Sequence, residues 1–372
     1  MAVEKVNKIP RDDAIDQFIH LFRRSIARRL PKDDDSVVPL SGGRDSRHIL
    51  LELVQQGRKP KFCITYEQFA GKSFGEDVRV AAALCRELEI KHVCLNQTEK
   101  YSAVEIRKNY HTNFCSDKHQ QMYVLAEYLA DSTEVLYDGL AGDTLSKSNY
   151  PSLAYVELYR KQKYEELAID CFRRYSCDEN DFRRFFHKQF YAKINFDQAI
   201  AALASELKKY AAAADPFTAF RFWNRTRRDI ALLPYRVLER VPTVFTPYLD
   251  HELFRFLSSL PGDMAGDREF HTDSIRRAYP RHAHIPFENE GPKKSPAILD
   301  KKTAEINRGV AFYYLSRFKF RGSIFDTNYL LPRMMRCLCS TKYAASLNWL
   351  PMPRVLFLTQ LADFVEKPYR LA

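Results

Sequence analysis

Residues 41–47 read Ser-Gly-Gly-Arg-Asp-Ser-Arg. They follow an apolar run, Val37 to Leu40, and open a helix-like pattern. Gly42 and Gly43 let the backbone approach a ligand with no Cβ in the way. Consecutive N–H groups there, backed by a helix start, make a nest for an anion such as phosphate. Ser41 and Ser46 add hydroxyl donors. Asp45 repels phosphate and makes sense if it holds a Mg2+ that bridges phosphates. Arg44 and Arg47 are expected to reach the same phosphates, or, for Arg47, to face solvent from the helix. The loop lacks the G-x-x-x-x-G-K-[ST] pattern, so γ-phosphate chemistry is not implied. It also lacks G-x-G-x-x-G, which disfavours a dinucleotide.

Such a loop needs a strand behind it and a helix in front. Residues 36–40 read as a short buried strand and 48–56 as a helix ended by Gly57. Further strands are expected at 61–66, 92–96 and 134–139, with amphipathic helices at 76–90 and 117–131. Ahead of the loop, 12–30 carry Ile15, Phe18, Ile19, Phe22 and Ile26 at helical spacing, with acids early and arginines late. Strands alternating with helices predict an α/β fold, a doubly wound parallel sheet. Beyond about residue 144 aromatic and basic residues intermix at helical spacing. The expected organisation is therefore an α/β nucleotide domain over 1–144 and a mostly helical substrate region over 145–372.

No apolar run approaches the ~20 residues of a membrane span, and the N-terminus has no signal-peptide core. The expected compartment is the cytoplasm, with the eight scattered cysteines reduced. The formal net charge is +11. It reads first as a solubilising surface with a basic active-site mouth, and second as a footprint for nucleic acid such as tRNA.

L-S-G-G-R-D-S at 40–46 resembles the pyrophosphate loop of the PP-loop ATP pyrophosphatases. Y-D-G-L-A-G-D at 137–143 is similar to their glycine-rich loop with an aspartate. P-Y-L-D-H-E-L-F-R-F-L-S-S-L-P at 247–261 resembles a stretch of one branch, the class B asparagine synthetases and their β-lactam, carbapenam and lasso-peptide synthetase relatives. The resemblance runs over residues 12–295. It implies attack of a carboxylate on the α-phosphate of ATP, giving an acyl-adenylate and pyrophosphate, and then displacement of AMP by an amine. It implies that Leu40, Ser41, Gly42, Gly43, Arg44, Asp45, Ser46, Gly139 and Gly142 bind ATP or pyrophosphate, and that Asp45 and Asp143 share Mg2+. A lysine on a segment after the P-Y-L-D stretch is implied to stabilise the transferring phosphate, which points to Lys293 and Lys294. Arg225, Arg227 and Arg228 are candidates for lining the cleft, and residues 64–68 with Leu40 for holding the nucleoside. The acceptor is expected to be a small molecule or peptide.

Three departures from the family pattern bear on the second half-reaction. Ala2 stands where the glutaminase nucleophile would be, so nitrogen is expected from free ammonia, an amine substrate or a separate donor protein. Leu140 occupies the position of the family's acid–base residue and cannot transfer a proton. Residues 111–123 carry Cys115, Asp117 and His119. Some PP-loop enzymes deliver sulfur from a cysteine persulfide, so the alternative reading is thiolation of a nucleobase, nucleotide or tRNA carbonyl through Cys115. A predicted helix N-terminus near Cys115 would favour its thiolate. Asp117 and His119 are otherwise expected to contact substrate.

Overall fold

Five short runs assemble the sheet: β1 (Ser36–Pro39), β2 (Phe62–Tyr66), β3 (His92–Leu95), β4 (Val135–Tyr137) and β5 (Thr243–Phe245). All pairings are parallel, in the order β3-β2-β1-β4-β5. In this computed structural model the described residues are 6–32, 35–66, 75–95, 100–116, 119–130, 132–146, 153–175, 179–265, 269–288, 296–317, 324–347 and 351–366. Val38 lies opposite Cys63 on one side of β1, and Val37 opposite Leu136 on the other. Val37 and Val38 are both fully buried, one against each face of the sheet. That explains why β1 is a continuous apolar run rather than an alternating one.

The chain moves outward from β1 through β2 to β3, then returns to place β4 on the other side of β1. Between β1 and β4 the strand order therefore reverses. A crevice opens at such a reversal, beyond the carboxyl ends of the two strands.

The first six helices are α1 (Arg11–Ala27), α2 (Asp45–Gln55), α3 (Glu76–Glu87), α4 (Tyr101–His111), α5 (Gln121–Leu129) and α6 (Gly142–Leu145), and further helices follow from Leu153 to Glu366. α1 buries Ile15, Phe18, Phe22 and Ile26, and carries Asp12 and Asp13 in its first turn. The helix expected at 117–131 is shorter at its start. His119 has a φ of 57°, a left-handed backbone that no α-helix continues through.

One core cluster gathers Phe18 and Phe22 of α1, Val38, Ile49 and Leu53 of α2, and Tyr248, Phe270 and Phe287 from late in the chain. A second covers the other sheet face with Val37, Leu129, Leu136, Leu233 and Val237. A third lies among helices near the C-terminus, around Tyr314, Phe325 and Leu330. β5 was not foreseen. It comes from the otherwise helical second half, and its three residues are too few to show a period. Among the described residues no helix is long and apolar enough to cross a membrane.

Candidate active site

The loop from β1 to α2 lies at the reversal point, closed by side chains from several elements. The Ser41 amide donates to Ser46 Oγ at 3.1 Å, and the Gly43 amide to Ser41 Oγ at 3.1 Å. The Gly42 amide donates to Oδ1 of Asp77, in the first turn of α3, at 2.6 Å. Gly42 O accepts the Glu288 amide at 2.8 Å. A Cβ on Gly42 would stand 3.1 Å from both Asp77 Oδ1 and Glu288 Cβ, a tight approach that both would have to ease by a few tenths of an ångström. All three amides thus have internal acceptors, two of them hydroxyls that can rotate away.

Asp45 begins α2 with its carboxylate turned toward the loop after β4. Its Oδ2 accepts the Asp143 amide at 2.8 Å. Its Oδ1 is buried and makes no hydrogen bond among the described residues. Burial, then the negative charge of Asp143, push the Asp45 carboxyl well above the usual carboxylate range. A Cβ on Gly142 would sit 2.5 Å from Asp45 Cγ, and one on Gly139 3.0 Å from Asp45 Cβ. These two glycines seat Asp45, and Gly139, expected to contact the nucleotide, also lines the cavity described below. An orphaned carboxylate oxygen beside a second aspartate is the donor set that Mg2+ accepts, since it takes one or two carboxylates and completes its shell with water and phosphate. The residues fit that cation. Among the described residues no group of three or more His, Cys, Asp or Glu converges as a closed metal centre.

Behind Asp45 lies a buried polar layer. His271 Nδ1 stands 3.5 Å from Asp45 Oδ1 and 2.9 Å from Ser146 Oγ. His271 Nε2 stands 3.1 Å from His48 Nδ1, so one nitrogen carries the shared proton and the other accepts it. The Tyr248 hydroxyl donates to Asp45 O at 3.2 Å. Burial holds His271 down to about 3 and His48 well below the usual histidine value. Phe22 stacks on His48 with ring centroids 3.7 Å apart. The tyrosine of the P-Y-L-D stretch and the helix preceding the loop therefore both act on the Asp45 segment.

A cavity of about 330 Å3 opens in front of these groups. Leu40, Ser41, Asp45 and Ser46 line it from the first loop, Thr65 and Tyr66 from β2, and Asp138, Gly139 and Asp143 from the loop after β4. His119 and Arg225 also line it. Arg225 belongs to a nine-residue π-helix, Phe222–Ile230, a geometry that re-aims side chains and recurs at functional sites.

Several expected residues stand elsewhere. Arg44 Nε donates to Thr272 Oγ1 at 2.5 Å, with the guanidinium 5.1 Å from the Phe287 ring. Arg47 neither faces solvent nor lines the cavity. It is 2 % exposed, donates to Ile285 O and Pro286 O at 2.8 and 2.7 Å, and covers Phe287 at 4.0 Å. Arg228 is exposed and outside the cavity lining, which takes Arg225 instead. Cys115 is exposed just past the C-terminus of α4, not at a helix N-terminus. Its thiol donates to Asn113 O at 3.4 Å, and it does not line the cavity. Asp117, Lys293 and Lys294 lie outside the described residues. Sequence reasoning missed Asp138 and Asp77. Asp138 had a signal, since it is the first carboxylate after β4 within the quoted Y-D-G-L-A-G-D. Leu140 is 4 % exposed and packed in the main core cluster.

The family model described as asparagine synthase matches residues 17–283. No curated protein matches the chain.

Proposed function

The chain belongs to the asparagine synthase family, within the PP-loop ATP pyrophosphatases, and on that premise we propose that it adenylates a carboxylate and passes it to a nitrogen nucleophile, forming an amide. The family is one of ATP-dependent adenylating synthetases. The observation that carries the reading to this chain is Asp45, whose Oδ1 makes no hydrogen bond among the described residues and which stands beside Asp143 in a cavity lined by Ser41 and Ser46.

In this reading the Ser41, Gly42 and Gly43 amides exchange their internal acceptors for the oxygens of the departing pyrophosphate. Ser46 adds a hydroxyl, and Leu40, Thr65 and Tyr66 lie where the nucleoside enters. Asp45 and Asp143 would hold Mg2+, which when bound neutralises charge developing on the pyrophosphate. The fixed layer of His271, His48 and Tyr248 keeps Asp45 from reorganising. The helical portion beyond residue 145 shapes the acceptor's end of the cavity, with Arg225 there to meet an anionic acceptor. A nitrogen nucleophile is favoured over sulfur because Cys115 does not line the cavity.

The test is exchange of labelled pyrophosphate into ATP, with Mg2+ and a fractionated metabolite extract as the source of acceptor. Exchange that depends on both a fraction and Mg2+, with AMP as the nucleotide product, is expected. No exchange and no AMP with any fraction would sink the reading.

A further inference from the structure

Amide formation from an acyl-adenylate needs a group that accepts a proton from the attacking nitrogen. Leu140 cannot do so, and it is embedded in the core. Four aspartates line the cavity: Asp45, Asp77, Asp138 and Asp143. Asp45 and Asp143 are bonded to each other through the Asp143 amide. Asp77 is bonded to Gly42. Asp138 is hydrogen-bonded to none of these three, although its charge adds to the field on Asp45.

Its position is fixed from two sides. The Asp138 amide donates to Phe245 O at 2.8 Å, which continues the β4–β5 ladder by one rung. Its Oδ1 accepts the Leu140 amide at 2.7 Å, an Asx turn that sets the side-chain torsion. Its Oδ2 makes no hydrogen bond among the described residues. One oxygen is thus anchored to the loop that carries Leu140, and the other is available within the same cavity as the adenylation groups.

We propose that Asp138 is the general base of the amide-forming half-reaction, standing in for the acid–base group that Leu140 replaces. The inference rests on the adenylating, amide-forming reading above. The nitrogen lone pair forms the C–N bond at the acyl carbon. The nitrogen gives one proton to Asp138 Oδ2. The acyl–oxygen bond breaks and AMP leaves with the electron pair. Asp138 then returns the proton to water. Burial raises the Asp138 carboxyl to about 6, which leaves it ionised at neutral pH and suits a base working there.

The test separates the two half-reactions in the full-length protein, using the extract fraction that supports pyrophosphate exchange. Asp138→Asn is expected to keep exchange within about threefold of wild type, while amide formation from ammonium falls by ~10²–10⁴-fold. Hydroxylamine, neutral at neutral pH and strongly nucleophilic, is expected to restore product in the variant as the hydroxamate. Full amide formation by Asp138→Asn would overturn the assignment. Loss of exchange together with a raised Mg2+ requirement would also overturn it, making Asp138 a cation-site residue. Selective loss in His119→Gln instead would move the role to His119. Absence of exchange in the wild type would remove the underlying reading itself, a result distinct from the other three.

Discussion

Asp45 is unfavourable in the metal-free protein. It is partly buried, faces a second carboxylate, and has an oxygen with no hydrogen bond among the described residues. A carboxyl whose value is raised on folding stabilises the fold only while protonated. That contribution is lost as pH rises from the ordinary carboxylate value through the raised one. Asp45→Asn therefore separates stability from function. In EDTA at pH 7.5, urea unfolding is expected to show the variant as stable as wild type or more so, by up to ~2 kcal/mol. Pyrophosphate exchange is expected to fall by at least ~10³-fold, and stabilisation by Mg2+ with ATP to vanish. Retained exchange would refute the cation assignment. That Leu40, Ser41, Asp45 and Ser46 would face a ligand cleft was legible from their types and order, and all four line the cavity. Arg47, in the same string, was not. Its burial depends on carbonyls 238 and 239 positions further along, and no local pattern reports them.

Elements set how closely these residues approach. The loop after β4 runs Gly139, Leu140, Ala141, Gly142, with Ala141 at a φ of 71°. Its turn brings Gly142 against Asp45 so closely that Gly142→Ala puts a methyl 2.5 Å from Asp45 Cγ. The expected cost is ~1–3 kcal/mol of stability, the usual range for overpacking. Exchange activity should drop more than that destabilisation explains, because the carboxylate itself is displaced. A Gly142→Ala protein with wild-type exchange would show that Asp45 can move without consequence. At this scale the first four strands were readable because each is an apolar run between turn residues. The fifth was too short to read. Arg225, Arg227 and Arg228 were readable as candidates for the cleft, and Arg225 lines the cavity; the π-helix that carries it was not readable, since its distinction lies in hydrogen-bond spacing and not in composition.

At the scale of the whole molecule, the layer formed by His48, His271 and Tyr248 joins α1, α2 and the helix Phe270–Ala278. Two histidines kept neutral by burial make that junction acid-labile. Histidines whose values are lowered on folding stabilise above their ordinary value near 6.5, and the contribution is lost as pH falls below it, toward about 3 for His271. Each can add up to ~1.4 kcal/mol of lost stability per pH unit. Urea midpoints at pH 7, 6 and 5 are expected to fall less steeply for His271→Gln than for wild type. The raised carboxylates act in the opposite sense over part of this range, so the difference in slope is the readout. Equal slopes would mean that His271 is protonated in the fold. The P-Y-L-D stretch was visible in sequence as a family likeness, while its task of bonding the Asp45 carbonyl emerges only from the assembled core.

That assembly also fixes an order in time. Asp45 O receives its hydrogen bond from Tyr248, 203 positions later, and Arg47 its partners from 285 and 286. A ribosome adding ~5–20 residues per second delivers these partners on the order of tens of seconds after the loop itself. The nucleotide loop is among the first segments of the α/β half to be made. It is among the last to receive its partners, because Tyr248, Ile285 and Pro286 are synthesised after all five strands.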